Sequence, residues 1–496
     1  MIRTPVGRRS RARGLALLAA GALLAAGTGA ARAYDPATTH AGLTERAVLA
    51  SSLHRVLERR LGRPLGLLEP LQIHSRHFDA GARRALWSRF ESLDPAGGYR
   101  PGTDGVNTAL GWVVAGAVLA QTPPERGRNH FLDPQRRRGL DDGPGLSGMA
   151  HGLRLAADTG TTVRDLATGS AFDLTGKSAL DWIAAPDNDQ GLAVLRASLE
   201  RAVIASEPAE RESALVRVLL ALGGVVAVLE DMGEPAHVRN DFRGAFLERQ
   251  GPSSWDRASP YEMFVSERYG RQGVPPAGPA VRRHSLQSYF TDPDGKGLAD
   301  RTQRRFFSEG TIPADVVVDP AMNTRDVLRA VRESLDLPEP AVNELSLKDL
   351  GVKRYVTSEG RRILGYVRVP GRVRFFIDDR VHGDSARALL PEVGAYAAGL
   401  LDYLLGPGLA IKAGGNQATI SVEGAPSTLA EARLRVFTED DRGRRQELPA
   451  APSADPLSGG QPVTVAIPIG TRRVAAVLEA RADGIPFHAV GEGGVE

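Results

Sequence analysis

The stretch from Val216 to Leu229, "VRVLLALGGVVAVL", places apolar residues on nearly every face of the helix that its three- and four-residue spacing predicts. A helix apolar all round must be enclosed by other elements, so the chain has to build a helical body around it. The run then continues into "EDMGEPAHVRNDF". Asp231 falls in the last turn, Pro235 stops the helix and turns the chain, and His237 follows just beyond. An acid and a neutral imidazole thereby face one cavity from two directions. A buried carboxylate without a partner is costly, so Asp231 is expected to meet a metal ion, an arginine or main-chain donors.

The surrounding pattern supplies that body. From Thr38 to about Leu247, "HAGLTERAVLASSLHRVLERRL", "NTALGWVVAGAVLAQ", "SALDWIAAP", "QGLAVLRASLERAVIAS" and the central run all carry helical periodicity, which predicts a mainly α domain. Between about Arg271 and Asp379 the pattern loosens into Pro and Gly clusters, with one helix expected at "TRDVLRAVRESL" and a hairpin-like "RYVTSEGRRILGYVRVPGRVRFFIDD". This reads as an irregular insertion before a last helix, "SARALLPEVGAYAAGLLDYLL". After Gly406 short alternating segments such as "QATISVEG", "ARLRVFTED" and "PVTVAIPIG" recur between turn clusters, which predicts a C-terminal β-sandwich over 406–496.

The first 33 residues have an Arg-rich start, an apolar stretch from Leu15 to Ala26 and a closing Ala31-Arg32-Ala33, the pattern of a secretory signal peptide. The expected mature chain starts at Tyr34 and runs as a helical domain over 34–405. Loss of the leader's six arginines takes the formal net charge from +3 to −3, so net charge gives no case for a nucleic-acid partner. No cysteine occurs. That excludes disulfides, thiolate metal ligands and a lipidated N-terminal Cys, and leaves His, Asp, Glu and main-chain groups as metal donors. With no later run of 18 apolar residues, the expected product is soluble and exported, periplasmic or extracellular, and not a lipoprotein.

Two further clusters carry chemistry. In "RGRNHFLDP", His130 stands beside Phe131 in an Asn-His-Phe-x-Asp-Pro setting. In "YDPATTHAGLTERA", the α-amine that cleavage would free on Tyr34 and its own carbonyl can chelate a divalent ion in a five-membered ring, and His40, at the opening of a helix, can complete the site. His74 and His77 share an i, i+3 spacing but lack a third ligand nearby, and read as ordinary histidines. No Gly-x-Ser-x-Gly elbow or Gly-rich phosphate loop is present.

Taken in order, "THAGLTERA", "NHFLDP", "SALDW" and "LEDMGEPAHVRND" resemble the bacterial zinc-dependent phospholipase C family, whose fold is shared by the single-strand-specific zinc nucleases. The resemblance covers roughly residues 34 to 270. It implies an exported helical domain holding three zinc ions. Carried over by position, it makes the Tyr34 main chain and His40 ligands of one zinc, with Asp231 bridging to a second that His130 also holds. His237 and Glu262 would bind the third. Three of the nine ligand positions depart: an acid is replaced by Gln121, and two histidines by Ala227 and Ala258.

In an intact member the ions lower the pKa of a bridging water and hold the phosphate oxygens. Gln121 cannot take up a proton as the missing acid would. Three readings therefore stand. One is a metal-dependent phosphodiester hydrolase of the phospholipase C class, acting on phospholipids with one to three zinc ions. The second is a catalytically degenerate relative that serves as a binding or structural protein. The third is a membrane-contact protein that works through its β-sandwich, with the helical part as a scaffold. The zinc itself is implied by the resemblance, since the same donors suit manganese or iron.

Overall fold

The computed structural model describes residues 36–77, 80–91, 101–102, 105–122, 124–140, 176–241, 259–317, 319, 321–323, 325–326, 329, 346–350, 353–406, 408–423, 429–449, 453–482 and 485–496. Its helical part is organised around α1 (Ala41–Ala50), α2 (Ala109–Ala120), α3 (Leu192–Ile204), α4 (Pro208–Glu230), α5 (Pro235–Val238), α6 (Pro260–Tyr269) and α7 (Asp379–Leu405). Pro208 at the first turn starts α4, Thr108 caps α2 by accepting the Gly111 N–H at 3.0 Å, and Asp378 caps α7.

The sequence expectation for α4 holds: Val218 to Glu230 are all buried. Averaged over 18 residues, α4 with its following turn (Pro208–Gly233) and α7 are both apolar enough to cross a membrane, contrary to the reading that no such segment follows the leader. Inside the fold 89% and 67% of those windows are buried, as expected of core helices. Crossing helices approach closely where they are built of small residues. A Cβ added to Gly116 of α2 would lie 2.2 Å from the Leu220 carbonyl oxygen, and one on Gly223 of α4 would lie 1.9 Å from that of Val113. The Gln190 amide spans the crossing, donating to both the Gly116 and Leu220 carbonyls.

The segment expected to be irregular contains a five-stranded antiparallel sheet. Numbering strands along the chain, β1 (Pro70–Gln72) and β2 (Val106–Thr108) form a small ladder beside α4. The larger sheet has β3 (Val316–Val317), β4 (Ser346–Leu350), β5 (Lys353–Ser358), β6 (Arg361–Val369) and β7 (Arg372–Phe376) in the order β3-β7-β6-β5-β4. The hairpin-like sequence supplies β5 to β7. The helix expected at "TRDVLRAVRESL" lies largely outside the described residues.

Beyond α7 the chain is β-rich, as the alternating pattern requires. One sheet joins β8 (Gly408–Gly414), β9 (Gln417–Glu423) and β12 (Val463–Ala466). The other joins β10 (Ala430–Glu439), β11 (Arg445–Glu447), β13 (Arg473–Ala482) and β14 (Ile485–Gly494). Leu409 and Ile420 of the first sheet share one apolar core with Leu434, Val436, Val474 and Leu478 of the second. The two sheets thus form a sandwich, packed on α3 through β13 and β14.

Candidate metal centre

The end of α4, the start of α1 and the turn after α2 converge on Asp231. His40, Gln121, His130, Glu230, Asp231, Glu234, His237 and Glu262 are each at most 1% exposed. His40 arrives at the end of the short helical turn Pro36–His40 that leads into α1. Its Nδ1 lies 2.7 Å from Glu230 Oε2, while Thr44, one turn further along α1, donates to Glu230 Oε1 at 2.8 Å. This fixes the ring and leaves Nε2 3.1 Å from Asp231 Oδ1.

That gap calls for positive charge. Burial works against a charged His40, but the charge of Asp231 and hydrogen bonds to Asp231 and Glu230 lift its pKa to about 10. Burial likewise opposes ionisation of Asp231, yet the His40 charge and the hydrogen bonds of His130 and His40 hold it well below the usual carboxylate range. Either a proton on Nε2 or a cation beside it satisfies the pair.

The other oxygen of Asp231 is closed differently. His130 Nδ1 lies 2.6 Å from Asp231 Oδ2, a direct hydrogen bond. Gln121, at the C-terminal end of α2, donates its amide to the same oxygen at 2.9 Å and lies 3.0 Å from His130 Nδ1. Ala227 sits one turn back on α4, fully buried against Ala117 and Ala120 of α2. The position where the resemblance places a histidine is thus part of the small-residue crossing between α2 and α4.

A second group lies beyond Pro235. Glu234 caps α5, its Oε2 accepting the His237 N–H at 2.8 Å and its Oε1 accepting Ser259 Oγ at 2.7 Å. His237 donates Nδ1–H to the His130 carbonyl at 3.0 Å and stacks on the Phe131 ring at 4.1 Å, which leaves Nε2 with its lone pair. Ser259 and Glu262 form a capping box at the start of α6, with Ser259 N–H donating to Glu262 Oε2 at 2.6 Å. Glu262 Oε1 has no hydrogen-bond partner among the described residues and lies 3.8 Å from His237 Nε2. One donor atom each from Glu234, His237 and Glu262 fall within 4.8 Å of one another. Burial raises Glu262 well above its ordinary value, reinforced by the charges of Glu234 and Asp231; it raises Glu234 to about 8 and lowers His237 to about 4.

Zinc, the ion implied by the resemblance, meets three different environments. The edge between His40 Nε2 and Asp231 Oδ1 suits a cation, with Glu230 orienting the ring from behind in the manner common to metal-bound histidines. The Glu234, His237 and Glu262 group also suits one, since it presents an orphaned oxygen and a free imidazole lone pair. The place between His130 and Asp231 Oδ2 does not, because a direct hydrogen bond and the Gln121 amide occupy the lone pairs a cation would need. Tyr34 and Ala258 lie outside the described residues.

Sequence reasoning passed over Glu230, Glu234, Thr44 and Ser259. The available signal was the burial argument applied to Asp231: in "VLEDMGEP" three acids close an otherwise apolar helix, and each needs a partner. His74, read as ordinary, pairs with Glu212 at 2.7 Å.

No family model matches the sequence, and no curated protein matches it. Among solved structures, alpha toxin from Clostridium absonum aligns over 93% of this chain and 97% of that chain at 10% identity, with a TM-score of 0.27. Alpha-toxin from an avian strain of Clostridium perfringens aligns over 93% and 99% at 9% identity, also with a TM-score of 0.27. Likeness at this level carries no inference about chemistry.

Proposed function

We propose that this protein is an exported, phospholipase C-like helical protein in which the hydrolytic centre has been replaced by hydrogen bonds, and that it acts as a binding or structural protein. The observation that supports this reading is the direct 2.6 Å bond from His130 to Asp231, with the Gln121 amide donating to the same oxygen. When bound in a centre of this type, metal ions polarise a phosphoryl oxygen and acidify a water. Here the chain's own groups fill the middle of the centre. Gln121 offers an N–H where proton uptake would be required, and the side chains that surround Asp231 are shielded from solvent.

A second reading keeps phospholipid hydrolysis with a reduced ion set, and one observation favours it: two of the three environments suit a cation. Contact with a phospholipid surface through the β-sandwich is compatible with either reading. The test is hydrolysis of phosphatidylcholine vesicles and of a chromogenic phosphodiester by the full chain, with zinc titrated from none to excess. The expected result is no zinc-dependent product above the protein-free rate. Zinc-dependent turnover that disappears in Asp231→Asn would overturn the proposal in favour of the hydrolase.

A further inference from the structure

We propose that Glu234, which stands at none of the nine ligand positions implied by the resemblance, is the third protein ligand of a closed, carboxylate-rich cation site formed with His237 and Glu262. The inference goes beyond the function proposed above, because a cation held there can be structural whether or not the chain hydrolyses anything.

Three observations carry it. Two carboxylates, Glu234 and Glu262, are fully buried within 4.8 Å of one imidazole, and among the described residues no Lys or Arg pairs with either. Taking such groups out of water without a counter-charge is strongly unfavourable, so positive charge must enter as protons or as a cation. The geometry separates these two options. A proton on Glu262 Oε1 would need an acceptor, and the nearest imidazole nitrogen, His237 Nε2, lies at 3.8 Å, beyond hydrogen-bond range. Metal bonds of about 2.0–2.2 Å at a tetrahedral angle instead place two ligand atoms roughly 3.3–3.6 Å apart, so a cation between them needs only a small closing of this separation.

The outer contacts point the same way. His237 Nδ1–H is engaged by the His130 carbonyl, so the ring turns its lone pair toward Glu262. Ser259 donates its hydroxyl to Glu234 Oε1 and its N–H to Glu262 Oε2, which leaves Glu262 Oε1 for the site; each Glu234 oxygen accepts one hydrogen bond, Oε2 from the His237 N–H, and keeps a second lone pair that a cation can take. Position 258, where the resemblance expects a histidine, is alanine. Glu234 comes from the turn that links α4 to α5 and supplies a carboxylate in place of an imidazole donor. Two carboxylates and one imidazole suit a divalent first-row cation such as Zn²⁺ or Mn²⁺.

The experiment uses the full chain, stripped by a chelator and reloaded with Zn²⁺, read by elemental analysis, zinc affinity and melting temperature. Wild type is expected to bind zinc and to melt at a higher temperature when loaded. Glu234→Gln keeps the side-chain shape and cap acceptor, and is expected to lose one zinc equivalent, with affinity at this site about a hundredfold weaker. His40→Gln, which touches only the other cation-suited edge, should retain that equivalent. Should Glu234→Gln fail to fold, Glu234→Asp, which keeps the charge but draws the carboxylate back, supplies the readout: the visible absorption of bound Co²⁺ must differ from that of wild type, and an unchanged spectrum would overturn the proposal. Zinc content and melting response in Glu234→Gln equal to wild type, or a wild type that takes up no metal, would overturn the proposal. A hydrolytic activity would sink the proposed function while leaving this site intact.

Discussion

Two buried charge clusters in this molecule solve the same problem in opposite ways. At the seam between α3–α4 and the β-sandwich, Arg445 is 5% exposed. It binds Glu492 through both carboxylate oxygens at 2.9 and 2.7 Å, Glu439 at 2.8 Å, and the Val203 carbonyl. Arg211 joins from α4, reaching Glu439 at 3.1 Å and the carbonyls of Ala205, Ser206 and Gly443. Permanently charged, forked guanidinium groups therefore meet these acids. Around Asp231, among the described residues, Glu230, Glu234 and Glu262 find only imidazoles, hydroxyls and amides, and Gln121 Oε1, His130 Nε2 and Glu262 Oε1 have no hydrogen-bond partner there. The seam is complete from its own sequence. The helical centre depends on charge that can come and go.

The sharpest way to break this contrast is to remove the guanidinium. Arg445→Met leaves Glu492 and Glu439 buried with reduced compensation, and should cost about 3–5 kcal/mol in denaturant unfolding, independent of zinc or chelator. Pairing it with Glu492→Gln should recover part of that loss, because the stranded charge is gone. A loss below about 1 kcal/mol would show that water reaches the seam and that the two regions differ less than their geometry says.

Metal is the corresponding probe of the helical centre. Zinc at a hundred times its dissociation constant should stabilise the stripped wild type by about 2.7 kcal/mol at each site filled. The gain should be the same in the Arg445→Met background, since the clusters share no partners. A zinc response that vanishes with Arg445 would mean that the two regions fold as one electrostatic unit.

Ala227→His tests whether the centre can be restored by adding back a ligand. The close crossing of α2 on α4 leaves no room beside Ala117 and Ala120, so overpacking should cost about 1–3 kcal/mol with no gain in bound zinc. Calorimetry with elemental analysis separates the outcomes. A stable variant with an extra zinc equivalent would show that the helices can part.

These contrasts also mark what was legible beforehand. The all-round apolar face of α4 dictated its burial, and the alternation after Gly406 dictated the sandwich, because both patterns have one physical solution. Ala227 was legible only as an absent histidine; that its small size serves a helix crossing depends on Gly116 and Gly223 meeting across space. Glu234 was passed over because attention went to positions fixed by resemblance. Its role comes from α6 bringing Ser259 and Glu262 against the α4–α5 turn, a contact between segments about 25 residues apart. β3 and β4 were hidden for a related reason: each is short, and each is defined by its partner strand more than by its own alternation.

The mildest prediction concerns pH, and it distinguishes imidazole from guanidinium directly. In the metal-free protein His40 faces Glu230, Asp231 and, at longer range, His130, and its pKa stands at about 10 against an ordinary value of 6.5. A base whose folded pKa is raised contributes stability that is fully present below the unfolded value and is lost as pH rises through the folded one. Stripped protein should therefore lose this share progressively between about pH 6.5 and 10. Arg445, whose guanidinium is pushed higher still by Glu492 and Glu439 against the effect of burial, should not titrate over that window. Melting curves of wild type and His40→Gln across these pH values isolate the effect, since the variant has no proton to lose at that position. Parallel curves would mean that His40 is neutral in the folded chain, with Nδ1 or Glu230 holding the single proton between them and Nε2 bare beside Asp231, leaving the centre with even less positive charge of its own.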